Sequence, residues 1–101
     1  MTGRRHVRVA ERFFAQLDEL LPPKRSATGT PSAADFLLYE IPLIIERLAT
    51  DFEGSTAPIE GADNIRVLIT SGILIRHIAA YALVHADGSV DLVALEIDRS
   101  R

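Results

Sequence analysis

One group of side chains has the types needed for acid–base chemistry, and the predicted hairpins of the C-terminal half would bring it together. Asp87-Gly88 predicts a two-residue type I′ turn, because both central residues of that turn need positive φ. Counting back from it, His77 faces Asp98 across the hairpin. If Ser71-Gly72 is a second two-residue turn, Arg66 lies opposite His77. The arginine would then hold an anion, the histidine would transfer a proton, and the aspartate would orient the imidazole.

Two further side chains, Tyr81 and Glu96, fall near this predicted row, and Val90 is predicted on the same outer face. The alternative reading is that all of them form the solvent face of a half-exposed antiparallel sheet, where polar residues are usual and opposite charges pair across strands. The row also depends on the first turn, because a three-residue turn would move Arg66 to the other face. The opposite face, predicted to pack on the helices, carries apolar residues, namely Ile78, Ala80, Ala82, Val84, Val93, Leu95 and Ile97.

The N-terminal half must supply the layer on which this sheet packs. Residues 5–9 alternate polar and apolar, which predicts a short strand. Apolar residues then recur at helical spacing until Pro22-Pro23, where the missing backbone donors end the helix. They are Phe13, Phe14, Leu17, Leu20 and Leu21.

A second helix begins with either Thr30 or Ser32 as its cap and extends to Gly54. Its apolar stripe comprises Leu37, Leu38, Ile41, Ile44, Ile45, Leu48 and Phe52. The spacing places Glu40 on the outward face with the other charged residues. Pro42 predicts a kink or a break, because it cannot donate to Leu38. The apolar residues cover more than one face, which fits either an interface or a buried helix.

Residues 54–63 are expected to form a loop, and the period then changes from 3.6 to about 2. Strands are predicted over residues 65–70, 73–85 and 90–97. The expected fold is therefore α+β, with a short N-terminal strand, a helical hairpin and a three-stranded antiparallel meander. All 101 residues fit one domain.

The composition excludes several kinds of site. The chain has no cysteine, so disulfides, thiolate nucleophiles and cysteine–zinc sites are ruled out. His6 and His85 lack the spacing of metal ligands, and no cofactor motif is present, so we expect neither a metal nor a cofactor. No secretory signal or membrane span is predicted, which makes the cytoplasm the expected location.

The charge distribution bears on the partner. The net charge is −3, which argues mildly against nucleic acid as the main partner. The first helix and the residues before it nevertheless carry a basic cluster of Arg4, Arg5, Arg8 and Arg12. The cluster would bind RNA or an acidic partner, or it would only keep an edge strand soluble.

The order of these elements resembles the RelE/ParE toxin superfamily across essentially the whole chain. The resemblance is carried by HVRVAERFFAQLDELLP, by DFLLYEIPLIIERLATDFE, and by NIRVLITSGILIRHIAAYALVHADGSVDLVALEIDRSR. It implies a toxin-like component of a bacterial toxin–antitoxin pair with a cognate antitoxin as partner. Matched to the family pattern, Arg66, Arg76, Tyr81 and Arg99 take the positions of functional residues. Asp98 stands where the family often has histidine, and the chain is acidic, so the resemblance favours a ParE-like protein over a ribosome-dependent ribonuclease.

Two other functions are compatible with these residues. The first is a non-catalytic protein-interaction module on the same fold, with another protein or a second copy of the chain as partner. The second is a small enzyme that uses Arg66, His77 and Asp98.

Overall fold

The computed structural model describes residues 4–98. Its elements, in chain order, are β1 (Val7–Val9), α1 (Glu11–Leu20), α2 (Ala33–Asp35), a π-helical turn (Phe36–Glu40), α3 (Ile41–Thr50), α4 (Phe52–Ser55), β2 (Ala57–Ile59), β3 (Ala62–Thr70), β4 (His77–Val84) and β5 (Val90–Asp98). No helix within residues 4–98 has the length and apolarity needed to cross a membrane.

The strands form one open sheet in the order β1-β5-β4-β3-β2. β1 runs parallel to β5, and the other neighbouring pairs are antiparallel. The prediction of a mixed α+β fold is confirmed. The described chain has five strands rather than the four predicted, because β2 lies inside the expected loop 54–63. β2 contains Pro58, and an edge strand tolerates proline because one side of its backbone needs no partner.

Helix α1 ends just before Pro22, and it packs on β5 through Phe13, Leu17 and the following Leu21, all of them buried. Gln16 on the same helix completes the edge of β5 beyond the end of β1. Its Oε1 accepts a hydrogen bond of 2.8 Å from the backbone N–H of Leu95. The helix therefore satisfies a backbone N–H that the short strand β1 does not reach.

The second helical segment begins at Ser32, so of the two predicted caps it is Ser32, and not Thr30, that caps the helix. Ser32 and Asp35 form a capping box, with both hydrogen bonds at 3.0 Å. Ahead of Pro42 the helix widens into the π-helical turn, in which the N–H of Ile41 bonds to the carbonyl of Phe36. Proline has no N–H, so the α-helical ladder is interrupted here, and the π-helical turn absorbs the irregularity.

The π-helical turn changes which side chains point inward. Glu40 was expected on the outward face, but it is only 2% exposed and lies beside buried Phe36 and Ile44. Leu37 and Leu38, predicted to belong to the inner stripe, are exposed. The kink or break expected at Pro42 takes the form of the π-helical turn, and the assignment of faces was wrong because it continued the α-helical period through this turn.

The connection between β3 and β4 also differs from the prediction. Thr70 pairs with Ile78, and residues 71–76 form a loop instead of continuing the strand through a two-residue Ser71-Gly72 turn. The amides of three loop residues bond to the Glu40 carboxylate, which removes them from the sheet.

The β4–β5 hairpin departs from the predicted geometry in two places that compensate each other. The Asp87-Gly88 turn is not type I′, because of its two central residues only Gly88 has a positive φ. The backbone N–H of His85 donates to the Ser89 carbonyl, which closes a three-residue loop. A bulge then falls between Tyr81 and Ala82, and between the bulge and the turn Leu83 faces Asp91, one residue away from its partner in a two-residue hairpin. Beyond the bulge the predicted register returns.

The core lies between the helices and the inner face of the sheet. Its fully buried side chains include Phe13, Leu17, Phe36, Leu48, Leu68, Ile78, Ala80, Ala82, Val90, Leu92 and Leu95. Val90 was predicted on the outer face, and the shifted register near the turn moves it inward. The helices thus occupy one side of the sheet.

Candidate functional site

The predicted row of Arg66, His77 and Asp98 is not assembled, because Arg66 lies elsewhere. Arg66 pairs with Ala82 and not with His77, since the 71–76 loop shifts the register of β3. Its guanidinium donates to the Thr56 hydroxyl at 2.7 Å and to the Thr56 carbonyl at 3.0 Å. It also lies 5.7 Å from the centre of the Phe52 ring, on the inner face. Arg66 therefore holds α4 against the sheet.

The other predicted residues are dispersed. His77 is exposed and faces Asp98 in the backbone register, as predicted, although the Asp98 side chain is not among those described. Tyr81 donates to Glu96 at 2.8 Å, and this hydrogen bond, aided by partial desolvation, raises the pKa of Tyr81. Arg76 is exposed in the 71–76 loop, outside β4. Arg99 lies outside the described residues.

The basic cluster near the N-terminus is largely neutralised within the chain. Arg4 donates to both carboxylate oxygens of Glu46 at 3.0 Å. Arg5 lies 3.8 Å from Glu53, donates to the Gly88 carbonyl and stacks 4.7 Å from the Phe52 ring. Arg8 pairs with Asp91 at 3.0 Å. These contacts favour a structural role for the cluster over the binding of RNA or of an acidic partner.

Asp91 joins three strands on the outer face of the sheet. One of its oxygens accepts from Arg8 of β1, and the other lies 2.9 Å from Nε2 of His85, at the end of β4. The pKa of Asp91 is lowered, mainly by the hydrogen bond with His85 and further by the hydrogen bond and charge of Arg8. Partial desolvation acts in the opposite direction and raises it. The arrangement anchors the short parallel strand β1 to the hairpin. His85, for which the sequence predicted no partner, is part of this arrangement.

The most distinctive polar group is the buried carboxylate of Glu40. Oε1 accepts from the N–H of Ile73 at 2.8 Å, and Oε2 accepts from the N–H groups of Leu74 and Ile75 at 2.7 and 3.0 Å. Three consecutive amides thus surround one carboxylate, and hydrogen bonds to a charged acceptor are stronger than neutral ones. Gly72 permits this approach, because a Cβ at that position would lie 2.6 Å from both carboxylate oxygens.

Glu40 fixes two segments that carry most of the exposed large apolar side chains. We call this set the Glu40 surface, and it consists of Leu37, Leu38, Tyr39, Leu43, Ile73 and Leu74. Leu38, Ile73 and Leu43 are 64%, 62% and 52% exposed. The first four residues flank Glu40 on its helix, and the last two belong to the loop that its carboxylate holds. The carboxylate therefore organises an apolar surface from two separate parts of the chain.

Sequence reasoning noticed the excess of apolar residues after residue 36 but missed Glu40 at their centre. The available signal was a single carboxylate inside the apolar run FLLYEIPLII, two residues before a proline. A buried glutamate needs several donors, and the loop with Gly72 supplies them. Among the described residues, no three His, Asp or Glu side chains come together as metal ligands.

Comparison of the chain with protein-family models, with curated proteins and with solved structures found no match. The resemblance to the RelE/ParE superfamily therefore stays a prediction.

Replacing Glu40 with glutamine should lower the free energy of unfolding by about 2–3 kcal/mol, because the amide cannot accept all three N–H bonds and leaves a buried donor unsatisfied. Urea denaturation measures the change. The control is Glu46→Gln on the same helix, where loss of the exposed pair with Arg4 should cost less than about 1 kcal/mol. Equal stabilities of the two variants would contradict the role given to Glu40.

The lowered pKa of Asp91 makes its contribution depend on pH. The ionised form is favoured in the folded state, so the stabilisation is present above the ordinary pKa of 3.8 and is lost as the pH falls through the lower folded-state value. Asp91→Asn should therefore flatten the decline in urea midpoint between about pH 5 and pH 3. The flattening caused by Asp91→Asn should be smaller when it is introduced into a variant that already carries His85→Gln. An unchanged slope in Asp91→Asn would refute this account.

Proposed function

We propose that this chain acts by binding another protein through the Glu40 surface, as a toxin-like component of a toxin–antitoxin pair. The observation that carries the proposal is the Glu40 surface itself, with six large apolar side chains held outward on both sides of one buried carboxylate. Several large apolar side chains exposed on two segments that one carboxylate holds together are a feature expected of a protein interface.

The hydrogen bonds of Glu40 support a binding role in addition to the exposure of the apolar side chains. A loop that presents Ile73 and Leu74 would lose conformational entropy on binding if it were free. Three amide bonds to Glu40 restrict the loop before a partner arrives, so less ordering is required at the moment of association. π-helical turns such as Phe36–Glu40 also occur frequently at functional sites.

The toxin-like form of the proposal comes from the family resemblance. Members of that superfamily are neutralised by an antitoxin, and ParE-like members inhibit DNA gyrase by binding it. The internal contacts of Arg66 and the net charge of −3 favour this binding mode over RNA cleavage. The alternative of a small enzyme is weakened because its anion-holding arginine is engaged with Thr56 on the inner face.

A non-toxic interaction module is the second candidate, and the same surface supports it. The two candidates differ in what expression of the chain does to a cell. A toxin arrests growth unless its antitoxin is present, whereas a module without toxicity has no such effect. Growth therefore separates them, and variants of the Glu40 surface test the mode of action that they share.

The chain should arrest bacterial growth when expressed alone from a tightly repressed promoter, and its genomic neighbour should relieve the arrest. A Leu38→Asp, Leu43→Asp, Ile73→Asp variant should lose either the arrest or the relief, because charges would disrupt an apolar interface. Phe14→Asp is the matched control, since Phe14 is also exposed but lies on α1, outside the Glu40 surface. Circular dichroism verifies the fold of each variant.

Normal growth with the wild-type chain would contradict the toxin-like role. The second candidate would then require that the neighbour's product bind the wild-type chain and the Phe14 variant but not the triple variant. A folded triple variant that matches the wild type in arrest, relief and binding would overturn both candidates.

A further inference from the structure

The face of the sheet opposite the helices is apolar where a solvated face would be polar. On β3, Ile65, Val67 and Ile69 point outward, whereas Arg66 and buried Leu68 point toward the helices. Ile69 is 70% exposed, more than any other large apolar side chain in residues 4–98. A strand with one solvated face normally places its polar residues outward. β3 does the reverse, because its arginine faces inward and its β-branched side chains face out.

The neighbouring strands continue this apolar surface. On β4, Tyr81 pairs with Val67 and Ala79 pairs with Ile69. On β5, Ala94 lies opposite Tyr81. We call the whole set the outer apolar face, and it consists of Ile65, Val67, Ile69, Ala79, Tyr81 and Ala94. All six side chains are half-buried or exposed, so the described part of the chain does not cover them completely.

The outer apolar face carries almost no charge. Of the positions that pair with its six residues across the strands, only Glu96 is charged. The Tyr81 hydroxyl donates to Glu96 at 2.8 Å, so both polar groups have a partner within the chain. Nearer the hairpin turn, Asp91 is bound by Arg8 and His85. A molecule that covers this face therefore needs apolar surface and no compensating charge.

We propose that the outer apolar face is a dimer interface, on which the same face of a second copy of this chain packs. In a two-fold dimer both copies use one surface, so that surface must be compatible with itself. A nearly uncharged apolar sheet meets this condition, and two sheets of the same twist pack face to face about 10 Å apart. The inference does not rest on the proposed function, because the Glu40 surface consists of other residues.

The size of the sheet fits a reversible dimer. Each strand residue occupies roughly 16 Å² of sheet, from about 3.4 Å along the strand and about 4.8 Å between strands. Strands of 3, 3, 9, 8 and 9 residues therefore cover roughly 500 Å² in one copy. Two copies would remove roughly 1,000 Å² or more from water, which is near the lower limit for a specific interface. We therefore expect a dimer that dissociates on dilution.

Other occupants fit the outer apolar face less well. A nucleic acid needs cations for its phosphates, and no lysine or arginine occupies the six positions or those that pair with them. A charged protein surface would lose solvation against apolar groups that offer it no partner. A second copy presents apolar residues to apolar residues, and burial of both sets from water stabilises the pair.

Sedimentation equilibrium of the full chain over a range of concentrations tests the inference. The mass of the wild type should rise from 11.1 kDa toward twice that value. Ile69→Lys should weaken the dimer about tenfold or more, because the charge occurs twice in a two-fold interface. Ile73→Lys is the matched control, since Ile73 is 62% exposed but belongs to the loop that Glu40 holds, and it should leave the dimer unchanged.

Two further sets of variants locate the contact. Ala57 is exposed on β2 beside Val67, so Ala57→Lys should also weaken the dimer. The chain has no cysteine, so a single introduced thiol reports its own position. A short bis-maleimide should join two copies of Ala79→Cys, at the centre of the outer apolar face, but not two copies of Phe14→Cys on α1. Circular dichroism verifies the fold of each variant.

A wild-type chain that stays monomeric at every concentration would overturn the inference. A dimer that persists in folded Ile69→Lys and Ala57→Lys would do the same, and one that only Ile73→Lys dissociates would assign the contact to the Glu40 surface. The growth experiment tests the proposed function separately. The triple variant of the Glu40 surface should still dimerise when it no longer affects growth, so failure of one proposal is distinguishable from failure of the other.

Discussion

The arrangement of one end of this molecule depends on a buried glutamate that accepts three backbone amides. An isolated buried carboxylate is strongly unfavourable, so Glu40 requires donors that stay in place. The N–H groups of Ile73, Leu74 and Ile75 supply them, and Gly72 leaves room for the carboxylate. The π-helical turn ahead of Pro42 directs Glu40 inward. Helix and loop are therefore mutually dependent.

This dependence connects the fold to the proposed function. The groups that donate to Glu40 belong to the backbone, so the side chains of Ile73 and Leu74 can face outward. On the helix, the same turn that buries Glu40 exposes Leu37 and Leu38. The chain thus retains apolar side chains at its surface that would otherwise reinforce its core, which is expected where a surface serves binding rather than stability.

Much of the fold follows from local patterns in the sequence. The end of α1 at Pro22, a helix cap at either Thr30 or Ser32 and the presence of sheet strands after residue 62 were predictable, because each depends on neighbouring residues. The His77–Asp98 register was predicted correctly only because a longer turn and a bulge cancel. The position of Arg66 was not predictable, since it depends on a loop held by a residue 33 positions or more away. Glu40 itself was missed because periodicity assumes regular helix geometry, which Pro42 interrupts.

Amide hydrogen exchange at residues 73–75 tests the central claim most directly, because those amides lie in a loop and, among the described residues, donate to Glu40 alone. The account predicts slow exchange of all three in the wild-type chain and fast exchange in Glu40→Gln. The amides of Ala80 and Ala82 in the central strand β4 should remain protected in both proteins. Rapid exchange of residues 73–75 in the wild type, at the rate of an unprotected loop, would contradict the claim that Glu40 organises this surface.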